Sequence, residues 1–136
     1  MAVYANFTFE GYSVFVNNSK SYAIPFPTIE EGGAITLYQS NFYFDRTSEF
    51  QYNHADSGGA MHLIESNLYV IGFVTIIQKT VTQNGGGIYL SQSEINCQQG
   101  STLHILNNTA EQEGGGVYAF GSSLKTANTQ YISQQY

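Results

Sequence analysis

Gly32-Gly33-Ala34-Ile35, Gly58-Gly59-Ala60-Met61, Gly86-Gly87-Ile88-Tyr89 and Gly115-Gly116-Val117-Tyr118 are four versions of one phrase, a glycine pair opening an aliphatic strand. Counted from the second glycine, they lie 26 (33 to 59), 28 (59 to 87) and 29 (87 to 116) residues apart. A period of this size is the mark of a chain built from stacked copies of one small unit.

Outward from each pair, one unit can be read. A short alternating strand follows the glycines, as in Ala34-Ile35-Thr36-Leu37 and Ala60-Met61-His62-Leu63. A serine turn comes next, at Ser40, Ser66, Ser91/Ser93 and Ser122/Ser123, and then a second strand such as Asn41 to Phe44. The third segment reads Phe50-Gln51-Tyr52-Asn53, Ile77-Gln78-Lys79-Thr80, Ile105-Leu106-Asn107-Asn108 and Ile132-Ser133-Gln134-Gln135, with Phe15-Val16-Asn17-Asn18 in a partial unit ahead of the first pair. The alternation has period 2 rather than 3.6, which argues against helical repeats. A propeller blade needs about 40 residues or more, so the spacing predicts a right-handed parallel β-helix of about four coils, three short strands per coil. The competing reading is a β-sandwich with coincidental glycines. Residues 1–136 are one domain's worth of chain.

Stacking turns each column into a ladder with a rung about every 4.8 Å. Phe15, Phe50, Ile77, Ile105 and Ile132 form an expected apolar ladder, and Asn18, Asn53, Thr80, Asn108 and Gln135 an expected polar one. Amides in register can donate from coil to coil, so Asn18, Asn53 and Asn108 need no ligand to be buried. Gly33, Gly59, Gly87 and Gly116 are expected at coil corners, where the backbone needs positive φ or close approach.

GGA[ILV] together with FxxN resembles the repeats of the polymorphic outer-membrane proteins, chlamydial adhesins. Gly32 to Ile35 is a full GGAI, and Phe15 to Asn18 and Phe50 to Asn53 are full FxxN. The other copies depart from the pattern, as GGAM, GGGI and GGGV, with Ile for Phe. The resemblance implies a right-handed parallel β-helix and a non-enzymatic surface adhesin or passenger domain.

Composition agrees with a strand-rich chain. It is 42% hydrophobic but only 10% charged, with 11 Tyr and 9 Phe, where an ordinary domain is about a quarter charged. The net charge of −6 comes with only four Lys+Arg, too few for a phosphate-binding or anionic-lipid patch. No nucleic acid and no direct membrane insertion are therefore expected; the longest apolar run, Leu68 to Ile77, is far too short to span. One cysteine, Cys97, excludes an internal disulfide and reads as a packed strand position. An uncharged polar surface fits an extracellular or cell-surface location. No signal peptide is visible in residues 1–9.

Candidate sites are few. Glu30, Asp56, Asn84 and Glu113 each precede a second glycine by three residues, an expected acidic column that either is solvated or binds Ca²⁺ through oxygen. Asn6, Asn17 and Asn107 begin N-x-S/T sequons, with Asn17 and Asn107 in one outward column. Outward tyrosines could bind sugar rings or a protein face, or simply pack coil on coil. Catalysis is not expected: Asp45-Arg46 has no second carboxylate in its column, and His54, His62 and His104 fall in different columns. No cofactor is expected. A carbohydrate-binding or carbohydrate-active β-helix of the pectin-lyase kind is the alternative reading.

Neither end reads as a cap, and the chain is expected to start and stop in mid-coil with open β edges. Two explanations fit, a segment of a longer solenoid or subunits stacking end to end into a filament, and both give a structural role.

Overall fold

The computed structural model describes residues 2–3, 6–18, 33–77, 79–81, 83–126 and 130–133. These residues form strands and corners, with no helix among them. The first turn contains β1 (Ala2–Val3), β2 (Phe7–Phe9) and β3 (Ser13–Val16). The second contains β4 (Ile35–Tyr38), β5 (Asn41–Phe44), β6 (Ser48–Gln51) and β7 (His54–Ala55). The third repeats this as β8 (Met61–Ile64), β9 (Asn67–Val70), β10 (Phe73–Ile77) and β11 (Thr80–Val81). The fourth does so as β12 (Ile88–Ser91), β13 (Glu94–Cys97), β14 (Thr102–Leu106) and β15 (Thr109–Ala110). A last turn contributes β16 (Val117–Phe120), β17 (Ser123–Thr126) and β18 (Gln130–Ser133).

Each strand pairs in parallel with its counterpart one turn away, giving four sheets: β1-β4-β8-β12-β16, β2-β5-β9-β13-β17, β3-β6-β10-β14-β18 and the short β7-β11-β15. The chain is a parallel β-solenoid with about three complete turns. The expected count of about four coils is met only by including the partial turns at either end. The turn also has a fourth strand, two residues long, which has no alternation to betray it in sequence.

The core is the inner row of each sheet. Ile35, Met61 and Ile88 stack without exposure, as do Leu37, Leu63 and Leu90, and Phe42, Leu68 and Ile95. Phe15 lies flat on Phe50, rings 4.6 Å apart and 1° from parallel. Below Phe50 comes Ile76, not Ile77: the register pairs Phe50 with Ile76 and Ile76 with Ile105. The apolar ladder is thus Phe15, Phe50, Ile76 and Ile105, and the backbone of Ile132 continues the column in register.

The same one-residue shift applies at the glycines. Ile35, Met61, Ile88 and Val117 share a column, at steps of 26, 27 and 29 residues. Gly33 and Gly59 therefore align with Gly86 and Gly115, while Gly87 and Gly116 occupy the place of Ala34 and Ala60. The inward aliphatic residue sets the register; the last glycine of a three-glycine run does not. The first glycine of the pair is left-handed, at φ 61° in Gly58 and 66° in both Gly85 and Gly114. The second is needed for space: a Cβ on Gly59 would strike the Gly86 carbonyl oxygen and the Lys79 Cβ.

Candidate functional site

The polar positions form ladders built into the corners. After β4, β8, β12 and β16 comes a left-handed residue (Gln39, Glu65, Gln92 or Gly121, φ 46–56°) and then a serine. Ser40 N–H donates to Ser66 Oγ (3.1 Å), Ser66 N–H to Ser93 Oγ (3.0 Å) and Ser93 N–H to Ser122 Oγ (2.9 Å). Each hydroxyl in turn donates to the carbonyl two residues back, as Ser66 Oγ does to Ile64 at 2.7 Å. One hydroxyl thus satisfies an orphaned amide of the turn before and a carbonyl of its own turn.

The asparagine ladder works on the opposite corner. Asn53 Oδ1 accepts from Asn18 N–H and from Asn18 Nδ2, both at 2.9 Å, and Asn53 Nδ2 donates to the Phe15 carbonyl at 3.0 Å. Asn108 repeats the scheme, accepting from Lys79 N–H (3.0 Å) and donating to the Ile76 carbonyl (3.2 Å). Asn53 and Asn108 are buried, and Asn18 lies in the outermost described turn and is exposed. Between them the ladder holds Lys79 and not Thr80. Lys79 is 1% exposed, and its Nζ turns back to the Ile77 carbonyl at 2.6 Å. Burial pulls its pKa from 10.5 down to about 7. Thr80, the expected rung, pairs with His54 and Thr109 instead, and the only signal for the shift in the sequence is a lysine one residue before it.

The acidic column separates. Gln83 N–H bonds to the Asp56 carbonyl and Gln112 N–H to that of Gln83, so Asp56 stacks with glutamines. Asn84 instead neighbours Glu113, whose N–H donates to Asn84 Oδ1 at 3.0 Å. Glu30 lies outside the described residues. No group of three His, Cys, Asp or Glu that could hold a metal occurs among the described residues.

The sequon residues Asn6, Asn17 and Asn107 are all exposed. Asn17 and Asn107 also have φ of 54° and 53°, as does Tyr52 in the same column at 53°, so the backbone itself favours asparagine there. Cys97 is buried on β13. His54, His62 and His104 sit on three different sheets. Asp45 and Arg46 form the corner between β5 and β6.

Tyrosines stack from one turn to the next. Tyr43 and Tyr69 are 4.6 Å apart and 9° from parallel, and Tyr89 and Tyr118 are 5.2 Å apart and 22° from parallel. Each ring covers its neighbour's face, whereas a sugar stacks on ring faces. Beside Tyr43 and Tyr69 runs an outer amide row, with Asn41 Nδ2 donating to Asn6 Oδ1 and Asn67 Nδ2 to Asn41 Oδ1, both at 3.0 Å. The row ends in Glu94, whose carboxyl is held below the usual carboxylate range, first by Lys125 Nζ at 2.7 Å and also by Ser123 and Asn96.

Comparison with protein-family models, with curated proteins and with solved structures finds no match to this chain.

Proposed function

We propose that the protein is a non-enzymatic, extracellular structural or adhesive element, a rigid β-solenoid that stacks end to end in a filament or continues into further turns of a surface adhesin. The observation that carries this reading is the unbroken parallel register of three five-stranded sheets. Each of those sheets ends in an edge strand at either end of the stack. A further turn, from the same chain or from a second copy, can continue every ladder without new geometry. Ladder chemistry accounts for the buried Asn53, Asn108, Ser40, Ser66 and Ser93 without a substrate. The low charge and the exposed sequon asparagines support a location outside the cell.

Negative-stain imaging across a concentration series tests the filament form. Filaments of uniform width that lengthen with concentration are expected. Leu124→Lys, which places a charge on the half-buried inner row of the last turn, is expected to shorten them. Single short particles at every concentration would remove self-stacking.

A further inference from the structure

The outer face of the β3-β6-β10-β14-β18 sheet differs from the rest of the surface. Seven large hydrophobic residues are exposed among the described residues, and five of them, Tyr12, Val14, Val16, Tyr52 and Phe73, lie on this face or at its margins. Its two central outer rows are Val14, Glu49, Thr75, His104 and Val16, Gln51, Ile77, Leu106. Ile77 and Leu106 are half-buried. The outer face of the neighbouring sheet carries the amide row and Lys125 and has no such apolar continuity.

We propose that this face pairs with the same face of a second copy, the two solenoids side by side with antiparallel axes and a two-fold axis along β10. The symmetry can be worked out from the register. A two-fold axis along the strand direction keeps each residue in its own row and exchanges the turns on either side of the axis. Thr75 then meets the partner's Thr75, and Ile77 the partner's Ile77. Glu49, one turn to one side, meets the partner's His104, one turn to the other side, and this contact occurs twice. A carboxylate facing an imidazole N–H is complementary, and the parallel arrangement that would set Glu49 against the partner's Glu49 is repulsive. Charge thus selects a second copy in one orientation. Within its own chain Glu49 already accepts from Gln51 Nε2 at 3.0 Å, which holds the carboxylate on this face.

The face is small. Strands about 4.8 Å apart and residues about 3.3 Å apart give a surface on the order of 20 by 16 Å. That is about 320 Å² a side, below the standard size of specific interfaces, so only weak pairing, with a dissociation constant in the hundreds of micromolar, is expected. Pairing by this face closes at two copies, whereas stacking by sheet edges is open-ended.

Sedimentation velocity from low micromolar to about 1 mM tests the proposal with four proteins: wild type, Ile77→Lys, His104→Glu and the double variant Glu49→Lys/His104→Glu. Ile77→Lys sets two ammonium groups together on the two-fold axis and is expected to abolish pairing. His104→Glu, opposing Glu49, is expected to weaken pairing about tenfold, and the double variant, which reverses the charges, to restore most of it. All three substitutions lie on the outer face, so circular dichroism should report the same strand content throughout. Three results would overturn the proposal: a wild type that stays monomeric over the whole range, self-association that Ile77→Lys leaves unchanged, or a double variant no better than His104→Glu.

Discussion

Lys79 shows what one residue costs inside a ladder. Its backbone N–H takes the place prepared by Asn108, but its side chain offers no acceptor to the turn before and places an amine in the interior. Unfolded, the amine titrates near 10.5; folded, at about 7. Between those values the unfolded chain binds a proton that the folded chain does not, so stability rises with pH across that window. Below about pH 7 the full penalty of the buried charge applies. Urea titrations between pH 6.5 and 10.5 should therefore show a rise approaching ~1.4 kcal/mol per pH unit at its steepest. Lys79→Asn should remove that rise and stabilise the protein at pH 7 by about 1–3 kcal/mol, because an amide there can repeat the bonds of Asn53 and Asn108. An unchanged pH slope in the variant would mean that Lys79 is not the titrating group.

Two glycines make a second test at this scale. A Cβ on Gly59 has backbone and Lys79 in its way, while one on Gly11 has nothing within 4 Å. Gly59→Ala should cost about 2–4 kcal/mol, and Gly11→Ala should stay within about 0.5 kcal/mol, both read from denaturant midpoints.

Among elements, the corners vary and the strands do not. From β9 to β13 the step is 27 residues (67 to 94), but from β10 to β14 it is 29 (74 to 103). The two additional residues fall in the corner 98–101, where Ser101 N–H and Oγ both bond back to the Gln98 carbonyl. The corresponding corner of the preceding turn is only Ile71-Gly72. Deleting Gln99 and Gly100 should leave every inner row in register and change stability by less than about 1 kcal/mol. Deleting two residues of β13 instead would break the registers with both β9 and β17, and should prevent folding. Circular dichroism and thermal melts of the two deletions distinguish these outcomes.

At the scale of the molecule, each turn touches only its neighbours, so stability should scale with the number of turns. Removing residues 61–87, one complete turn, joins Ala60 to Ile88 and brings β12 under β4 in the same register. The shortened chain should fold, with its urea m-value lower by roughly one fifth and a lower melting temperature. An unfolded product would mean that this turn supplies something its neighbours cannot.

The solenoid was legible in the chain because a stack has to repeat its chemistry at one interval, and the glycine pairs, serines and FxxN segments recur at that interval. Parallel strands and the inward placement of Phe15, Phe50, Ile105 and Asn53 follow from period-2 alternation and that spacing alone. The register of individual rungs did not follow. Gly87 resembles a second glycine as closely as Gly86 does, and Ile77 an inward residue as closely as Ile76. Only hydrogen bonding across turns chooses between them, and one residue of slip reverses every side chain from core to solvent. That choice put Lys79 into the asparagine ladder and separated Asp56 from Glu113. The two-residue strands were hidden as well, since they owe their existence to the turns on either side. Periodicity is a property of the chain, but which residue faces which is settled between turns more than 25 residues apart.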